Sequence, residues 1–305
     1  MTAIFTDSTE ASATAEINPL ANVELSFIGC GVMAEAILAG LLRKRLVAPA
    51  QIFASHPRAN RRAELAAKYG INAVEDNRAA ALHDRAAEGP DETLPERAGS
   101  IVVLAVKPQR LGGVLHELKG SLRQDQLVVS VVAGATMETL AAELLHPAVV
   151  RSMPNTPAQI GQGMTAWTAT PEVTGAQLAQ VRALFASLGR EMHVEEERMI
   201  DMATALSATG PTYVFLVMEA LVDAGVHMGF SRHVAQELVQ QTILGSVLFA
   251  QESHKHPAEL RNMVTSPGGT SAEAIYQMEK GSLRTVLSKA VWAAYQRAVS
   301  LGRKK

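Results

Sequence analysis

The apolar positions of this chain follow two regimes. As far as Val194, short apolar runs alternate with amphipathic stretches; beyond it only long helical patterns remain. Val23–Ile28 predicts a strand, and Gly29-Cys30-Gly31-Val32-Met33-Ala34 opens a helix running through Leu42. Residues 51–55 predict a second strand, followed by a helix through Tyr69, and residues 70–74 a third strand. Residues 78–99 are charged, Ala-rich and broken by Gly-Pro and Leu-Pro, which fits a helix followed by a surface loop. Residues 101–106 and 127–132 are continuous apolar runs, as expected of parallel strands buried on both faces. Residues 140–145 predict a helix and 148–153 another strand. Pro154-Asn155-Thr156-Pro157 ends that strand, and an extended run resumes at 163–167. Such alternation predicts an α/β fold: an N-terminal Rossmann-like, doubly wound sheet.

The second regime is all-helical. Residues 199–206 are followed by a break at Ser207-Ala208-Thr209-Gly210-Pro211, with Pro211 suited to the first turn of the next helix. That helix, 213–228, reads YVFLVMEALVDAGVHM and is apolar on nearly every face. It is either the core of its own domain or buried against a second subunit, and the expectation is a homodimer through this domain. Further helices are expected over 232–251 and 282–301. The chain thus divides into a mobile tail at 1–22, a nucleotide-binding domain at 23–194 and a helical dimerisation domain at 195–305.

Composition narrows the function classes. A chain of 305 residues accommodates two domains. The net charge of −2 supplies no basic field, so nucleic acid is not an expected partner. The single cysteine, Cys30, excludes an intrachain disulfide framework or a Cys-rich zinc site and fits a reducing, cytoplasmic setting. Residues 1–22 carry Asp7, Glu10 and Glu16 without an apolar core, unlike a signal peptide. No apolar run reaches about 18 residues, so no membrane span is expected. His227, His254 and His256 lie at spacings that make no metal site, and they read as surface or helix-end residues.

Three stretches carry candidate chemistry. Gly29-Cys30-Gly31-Val32-Met33-Ala34 is G-x-G-x-x-A between a strand and a helix, the dinucleotide fingerprint in its required context. Gly29 permits the tight turn, Gly31 lets a pyrophosphate approach and Ala34 lets the helix pack closely; Cys30 reads as a small loop residue. An NAD site places an acid at the end of the second strand to bind the ribose 2′-OH. Here stand Ser55-His56-Pro57-Arg58, then Arg61 and Arg62, and hydroxyl and guanidinium suit a 2′-phosphate, although Arg61 and Arg62 equally fit a solvated helix face. NADP is the expected cofactor. The third stretch, MVTSPGGTSAE at 263–273, is a Pro-Gly-Gly turn leading into a helix. Thr270 and Glu273 have capping-box spacing. The same helix start, with its N–H groups and two hydroxyls, also suits a carboxylate ligand.

Together these stretches resemble the pyrroline-5-carboxylate reductase family, over residues 25–302. The resemblance rests on Phe27-Ile28-Gly29-Cys30-Gly31-Val32-Met33, Ala105-Val106-Lys107-Pro108, Arg151-Ser152-Met153-Pro154-Asn155-Thr156-Pro157, 207–213 and Thr265-Ser266-Pro267-Gly268-Gly269-Thr270-Ser271. It implies a Rossmann-like domain plus an interlocking helical dimerisation domain, with the active site between the nicotinamide and the helices of both subunits. Dimers in the family often form rings. It also implies that Ile28, Gly29, Cys30, Gly31, Val32, Met33, Ser55, Asn77, Ala105, Val106, Lys107 and Pro108 line NADPH, with Val132, Ala133 and Gly134 near the nicotinamide; Arg58 joins the cofactor candidates through its guanidinium, as read above. NADH would be a weaker alternative. Val264, Ser266, Gly268, Gly269, Thr270 and Ser271 would bind the pyrroline carboxylate.

The implied reaction is hydride transfer from C4 of NADPH to the C=N carbon of Δ1-pyrroline-5-carboxylate, giving L-proline. A Thr or Ser hydroxyl is too weak an acid to protonate the ring nitrogen outright, so Thr270 or Ser271 is expected to orient the substrate or relay a proton from water. Many relatives read Gly-Gly-Thr-Thr where this chain has Gly268-Gly269-Thr270-Ser271, so Ser271 must supply the last hydroxyl. Two alternatives stand beside this reading: another NADPH-dependent imine or 2-hydroxyacid reductase, for which the 213–228 helix offers only Glu219 and Asp223, and a non-catalytic NADP-binding regulator.

Overall fold

The computed structural model describes residues 18–83 and 99–302. The expected mobile tail and the surface loop within 78–99 fall outside the described residues, apart from 18–22, 78–83 and 99. At 18–22 the chain is packed. Leu20 is fully buried, and Gln51 Nε2 donates to the carbonyls of Leu20, Ala21 and Val23 at 3.3, 3.0 and 2.9 Å.

Eight strands form one sheet among the described residues: β1 (Val23–Ile28), β2 (Ile52–Ser55), β3 (Asn72–Val74), β4 (Gly99–Leu104), β5 (Gln126–Ser130), β6 (Val149–Met153), β7 (Gly163–Ala169) and β8 (Gly189–His193). Their order is β3-β2-β1-β4-β5-β6-β7-β8, parallel except between β6 and β7. Helices α1 (Val32–Arg43), α2 (Ala59–Tyr69), α3 (Asn77–Leu82), α4 (Pro108–Leu118), α5 (Met137–Leu144) and α6 (Gly175–Ala186) cover the two faces. Alternate side chains feed two cores, which is why the central strands read as unbroken apolar runs. Leu25, Phe27, Ile101 and Val103 join α1 and α6 in one layer, while Val102, Leu104, Val128 and Val149 join α3, α4 and α5 in the other.

Register decides where ligands can bind. Ile28 lies opposite both Ser55 and Leu104, so β1, β2 and β4 end level and their outgoing loops meet at one sheet edge. That carboxyl edge, beside the central β1, is where open α/β sheets bind ligands. On the buried face beneath α3, Ser26 Oγ donates to the Ala80 carbonyl at 2.7 Å, and His83 Nδ1 pairs with Glu24 at 2.6 Å.

After His193 the described chain is helical. α7 (Arg198–Ala203) runs through a π-helical turn (Thr204–Ala208) into α8 (Gly210–His227), with Pro211 in the first turn of α8. There follow α9 (Arg232–Ser253), α10 (Pro257–Met263), α11 (Thr270–Lys280) and α12 (Leu283–Gly302). α8 pairs with α9, and α12 returns to pack on α7 and the π-helical turn. α8 buries only Val222 and Gly225, whereas Phe215 and Leu216 are 58% and 65% exposed. The 30-residue run Arg198–His227 is long and apolar enough to cross a membrane by length and composition. No single run of consecutive apolar residues in the sequence had indicated this.

Candidate active site

The level strand ends create a cleft of about 660 Å³ lined by the loops after β1, β2, β3 and β4 and by α4. Gly29, Gly31, Ser55, Asn77, Ala105, Val106 and Lys107 all face it. Gly29 sits at φ +83°, and a Cβ there would meet Val106 Cγ1 at 2.5 Å, so both conformation and space demand glycine. Gly31 differs: a Cβ there would meet no protein atom within 4 Å. Its missing side chain keeps open a cradle that the protein leaves unfilled, and a dinucleotide pyrophosphate fits it.

The remaining residues of the loop contribute backbone. Ile28 and Cys30 are fully buried, Met33 packs on the core and Val32 is exposed. Burial pushes the Cys30 thiol up to about 12, which leaves it a neutral packing group. Ser55 Oγ accepts from Gly29 N–H at 3.2 Å and donates to Asn77 Oδ1 at 2.7 Å. Asn77 Nδ2 in turn donates to Glu117 Oε2 at 2.5 Å. Ser55 is therefore committed to holding the glycine loop, where its hydroxyl had been expected to suit a phosphate. Lys107 stands at the N-cap position of α4 without a side-chain cap bond, and Pro108 occupies the first helical position. Arg110, not picked out from the sequence, also lines the cleft.

Val132, Ala133 and Gly134 lie outside that cavity, past the end of neighbouring β5. Gly134, at φ +77°, lies under the end of α12: a Cβ there would meet the Leu301 backbone at 2.7 Å. The same region is tied to α7, because Glu197 Oε1 accepts from Met137 N–H at 2.7 Å and from Arg151 Nη1 at 3.0 Å. Arg151 Nη2 also donates to Asp201 at 2.5 Å, with the arginine side chain only 2% exposed. Asn155 Oδ1 accepts from Met164 N–H at 2.9 Å, and its Nδ2 reaches Ser207 at 3.4 Å. These contacts join the sheet to the helices, and sequence reading passed over them.

The 263–273 segment forms as a turn followed by a helix, but its cap differs from the expected box. Gly269, in extended conformation, is the N-cap of α11 and offers no side-chain cap, while Glu273 bonds Gln277 instead. Thr270 therefore lies one position inside the helix. Its hydroxyl and that of Ser271 do not cap it, and their two N–H groups have no partner among the described residues. Ser266–Gly269 closes by a 3.0 Å backbone bond with Pro267 second and Gly268 third at φ +70°, the pattern of a type II turn. Val264 is 66% exposed, and none of 264–271 lines the cleft at the strand ends of the same chain. The histidines sit at helix ends: His227 in the last turn of α8, His254 after α9 and His256 at the N-cap of α10.

Two family models match the chain: pyrroline-5-carboxylate reductase dimerisation over residues 197–301, and NADP oxidoreductase, coenzyme F420-dependent, over 24–134. The chain is 39% identical to the pyrroline-5-carboxylate reductase of Synechocystis, covering 93% of this chain and 100% of that one. Identity to the Pseudomonas aeruginosa enzyme of the same name is 40%, over 91% and 96%. Among solved structures, Plasmodium falciparum pyrroline carboxylate reductase with NADP bound superposes with a TM-score of 0.81 at 30% identity, covering 93% of this chain and 100% of that chain.

Proposed function

The chain belongs to the pyrroline-5-carboxylate reductase family, and we propose that it catalyses the NADPH-dependent reduction of Δ1-pyrroline-5-carboxylate to L-proline, the last step of proline biosynthesis. Its full-length likeness to enzymes of that name carries this reading. The open cradle at Gly31 supports a dinucleotide in the cleft. Bound NADPH supplies the hydride; this chain's residues bind and align. Residues 23–194 act as the nucleotide domain and 195–305 as the substrate and dimerisation domain.

The unclaimed N–H groups of Thr270 and Ser271 suit the substrate carboxylate at the positive end of α11. The two hydroxyls stand beside them, free to hydrogen-bond the ring and orient its C=N bond at near-attack distance. Neither is acidic enough to protonate the ring nitrogen, so one orients it or passes on a proton from water. The turn does not reach the cleft of its own chain. A second copy, docked through the exposed face of α8, brings the two halves together, and such dimers assemble into rings. Cytoplasmic localisation follows from the same reading.

Loss of NADPH absorbance with and without pyrroline-5-carboxylate, repeated with NADH, tests the activity. Rapid, pyrroline-dependent loss that favours NADPH is the expected result. A folded dimer that binds NADPH but turns over with neither cofactor would overturn the proposal.

A further inference from the structure

Three arginines follow β2, and the structure gives each a different task. The Arg61 guanidinium pairs with Glu35 and, at 2.6 Å, with Glu64, so it faces α1 and its own helix. Arg62 is a staple. Its Nη1 donates to the carbonyls of His56 at 2.8 Å and Pro57 at 3.0 Å, and its Nη2 to Glu75 Oε2 at 2.8 Å. His56, Pro57 and Glu75 all line the cofactor cleft, so this one fork ties together the loops after β2 and β3. Arg58 stands at the end of the stapled stretch. Its N–H donates to His56 Nδ1 at 3.2 Å, its carbonyl starts α2, and its guanidinium has no partner among the described residues.

We infer that Arg62 is a positioning residue for cofactor choice: it fixes the 56–58 loop so that the unpaired Arg58 guanidinium meets the 2′-phosphate of NADPH, and it does not touch the phosphate itself. This rests on the reading of the chain as an NADPH-dependent reductase with that phosphate at the end of β2. The physical basis is preorganisation. A planar fork shared between two carbonyls and a carboxylate has its donors already committed, and holding a short loop in its bound shape removes an ordering cost that binding would otherwise meet. NADH carries a hydroxyl where the phosphate would be, so the loop's position matters little to it.

Steady-state kinetics with both cofactors on Arg62→Gln, Arg58→Ala and the double variant test this. Arg62→Gln should lower the NADPH-to-NADH ratio of kcat/KM by about tenfold, the scale of one charge-assisted bond to phosphate. The fall should come from a raised KM for NADPH, with the KM for NADH moving by a smaller factor, and an unchanged melting temperature shows that the fold is intact. Arg62→Lys, which keeps the charge but not the fork, should not restore the ratio. Because Arg62 acts through Arg58, the double variant should lie within about twofold of Arg58→Ala, the scatter expected of additive sites. A ratio that falls only in Arg58→Ala overturns the role of Arg62 and leaves the phosphate site standing. Fully additive losses overturn positioning in favour of direct contact. No change in either single variant overturns the phosphate site itself, and this inference with it.

Discussion

Replacing Arg151 with Met should destabilise the protein by about 3 kcal/mol. The side chain is buried in β6, and its fork is the one charged contact described above that links the sheet to α7. Losing the cation leaves Glu197 and Asp201, 28% and 16% exposed, facing one another without a countercharge. Removing one member of a buried ionic cluster costs roughly 3–5 kcal/mol, because the remaining charges stay desolvated. Here both carboxylates reach some water and Glu197 keeps the Met137 N–H, which places the loss at the lower end. Arg151 Nε already lacks a partner, so the cluster is not fully satisfied even in the native protein. The triple variant Arg151→Met, Glu197→Gln, Asp201→Asn retains no charge, and it should recover to within about 1–2 kcal/mol of the native protein. Urea unfolding at one fixed subunit concentration measures both, since the stability of a dimer depends on concentration. A loss below about 1 kcal/mol in the single variant, or a triple variant no more stable than the single, would refute the argument that desolvated charge dominates at this joint.

Two further outcomes follow from the geometry. Thr270→Val and Ser271→Ala should each lower kcat/KM for the pyrroline by about tenfold, the worth of one hydrogen bond, without moving the melting temperature, because neither hydroxyl caps α11; a drop of several degrees would show that one of them holds the turn. Glu35 gives a pH signature. Burial pushes its carboxyl up, but hydrogen bonds from Arg61, Lys68 and Tyr69 outweigh this and hold it at about 2, below its ordinary 4.5. A carboxyl lowered in the folded state stabilises fully above its unfolded value and loses that contribution as pH falls through its folded one. Glu35→Gln should therefore be about 1 kcal/mol less stable at pH 6, with the gap closing between about pH 4.5 and 2; a gap constant down to pH 2 would show that packing, and not charge, is lost.

What could be read from the chain depended on how local its cause was. β4 and β5 stood out because burial on both faces demands apolar residues at every position. β8, with sequence GREMH and largely exposed side chains, carries no such pattern and was not anticipated. The packing of Leu20 depends on Gln51, about thirty positions away in sequence, so nothing local marks 18–22 as fixed. The capping box failed for a different reason. T-x-x-E spacing is identical whether Thr270 is the last extended residue or the first helical one, and the backbone at Gly269 decides that. Arg151 stood out as part of a stretch carrying the resemblance, but its ion pairs were not legible, since its partners lie 46 and 50 positions later. Of the candidate site, the glycine loop and the turn were legible as motifs. The separate commitments of Ser55, Arg61 and Arg62 were not, because each is set by a neighbour that only the fold supplies.

The exposed face of α8 admits two occupants, lipid or protein, and its charges distinguish them. Glu219 and Asp223 sit within the helix, and Asp223 pairs at 3.0 Å with Arg232 at the start of α9. A carboxylate or guanidinium near the centre of a bilayer costs about 2.5–3.5 kcal/mol by insertion scales, and lipid offers nothing to offset two or three of them. A protein interface can leave such groups at a wet rim while it buries Phe215, Leu216 and Leu221, each worth about 1.5–3 kcal/mol when fully covered. The helix run is also interrupted by the π-helical turn and by Gly210-Pro211: the Thr204 carbonyl accepts from both the N–H and the hydroxyl of Thr209, and the Ala205 carbonyl from the Tyr213 hydroxyl, in place of a regular ladder. A second copy therefore matches this surface better than a membrane does. The proposed reading needs the same partner, because none of 264–271 lines the cleft beside the Gly29–Gly31 loop of its own chain.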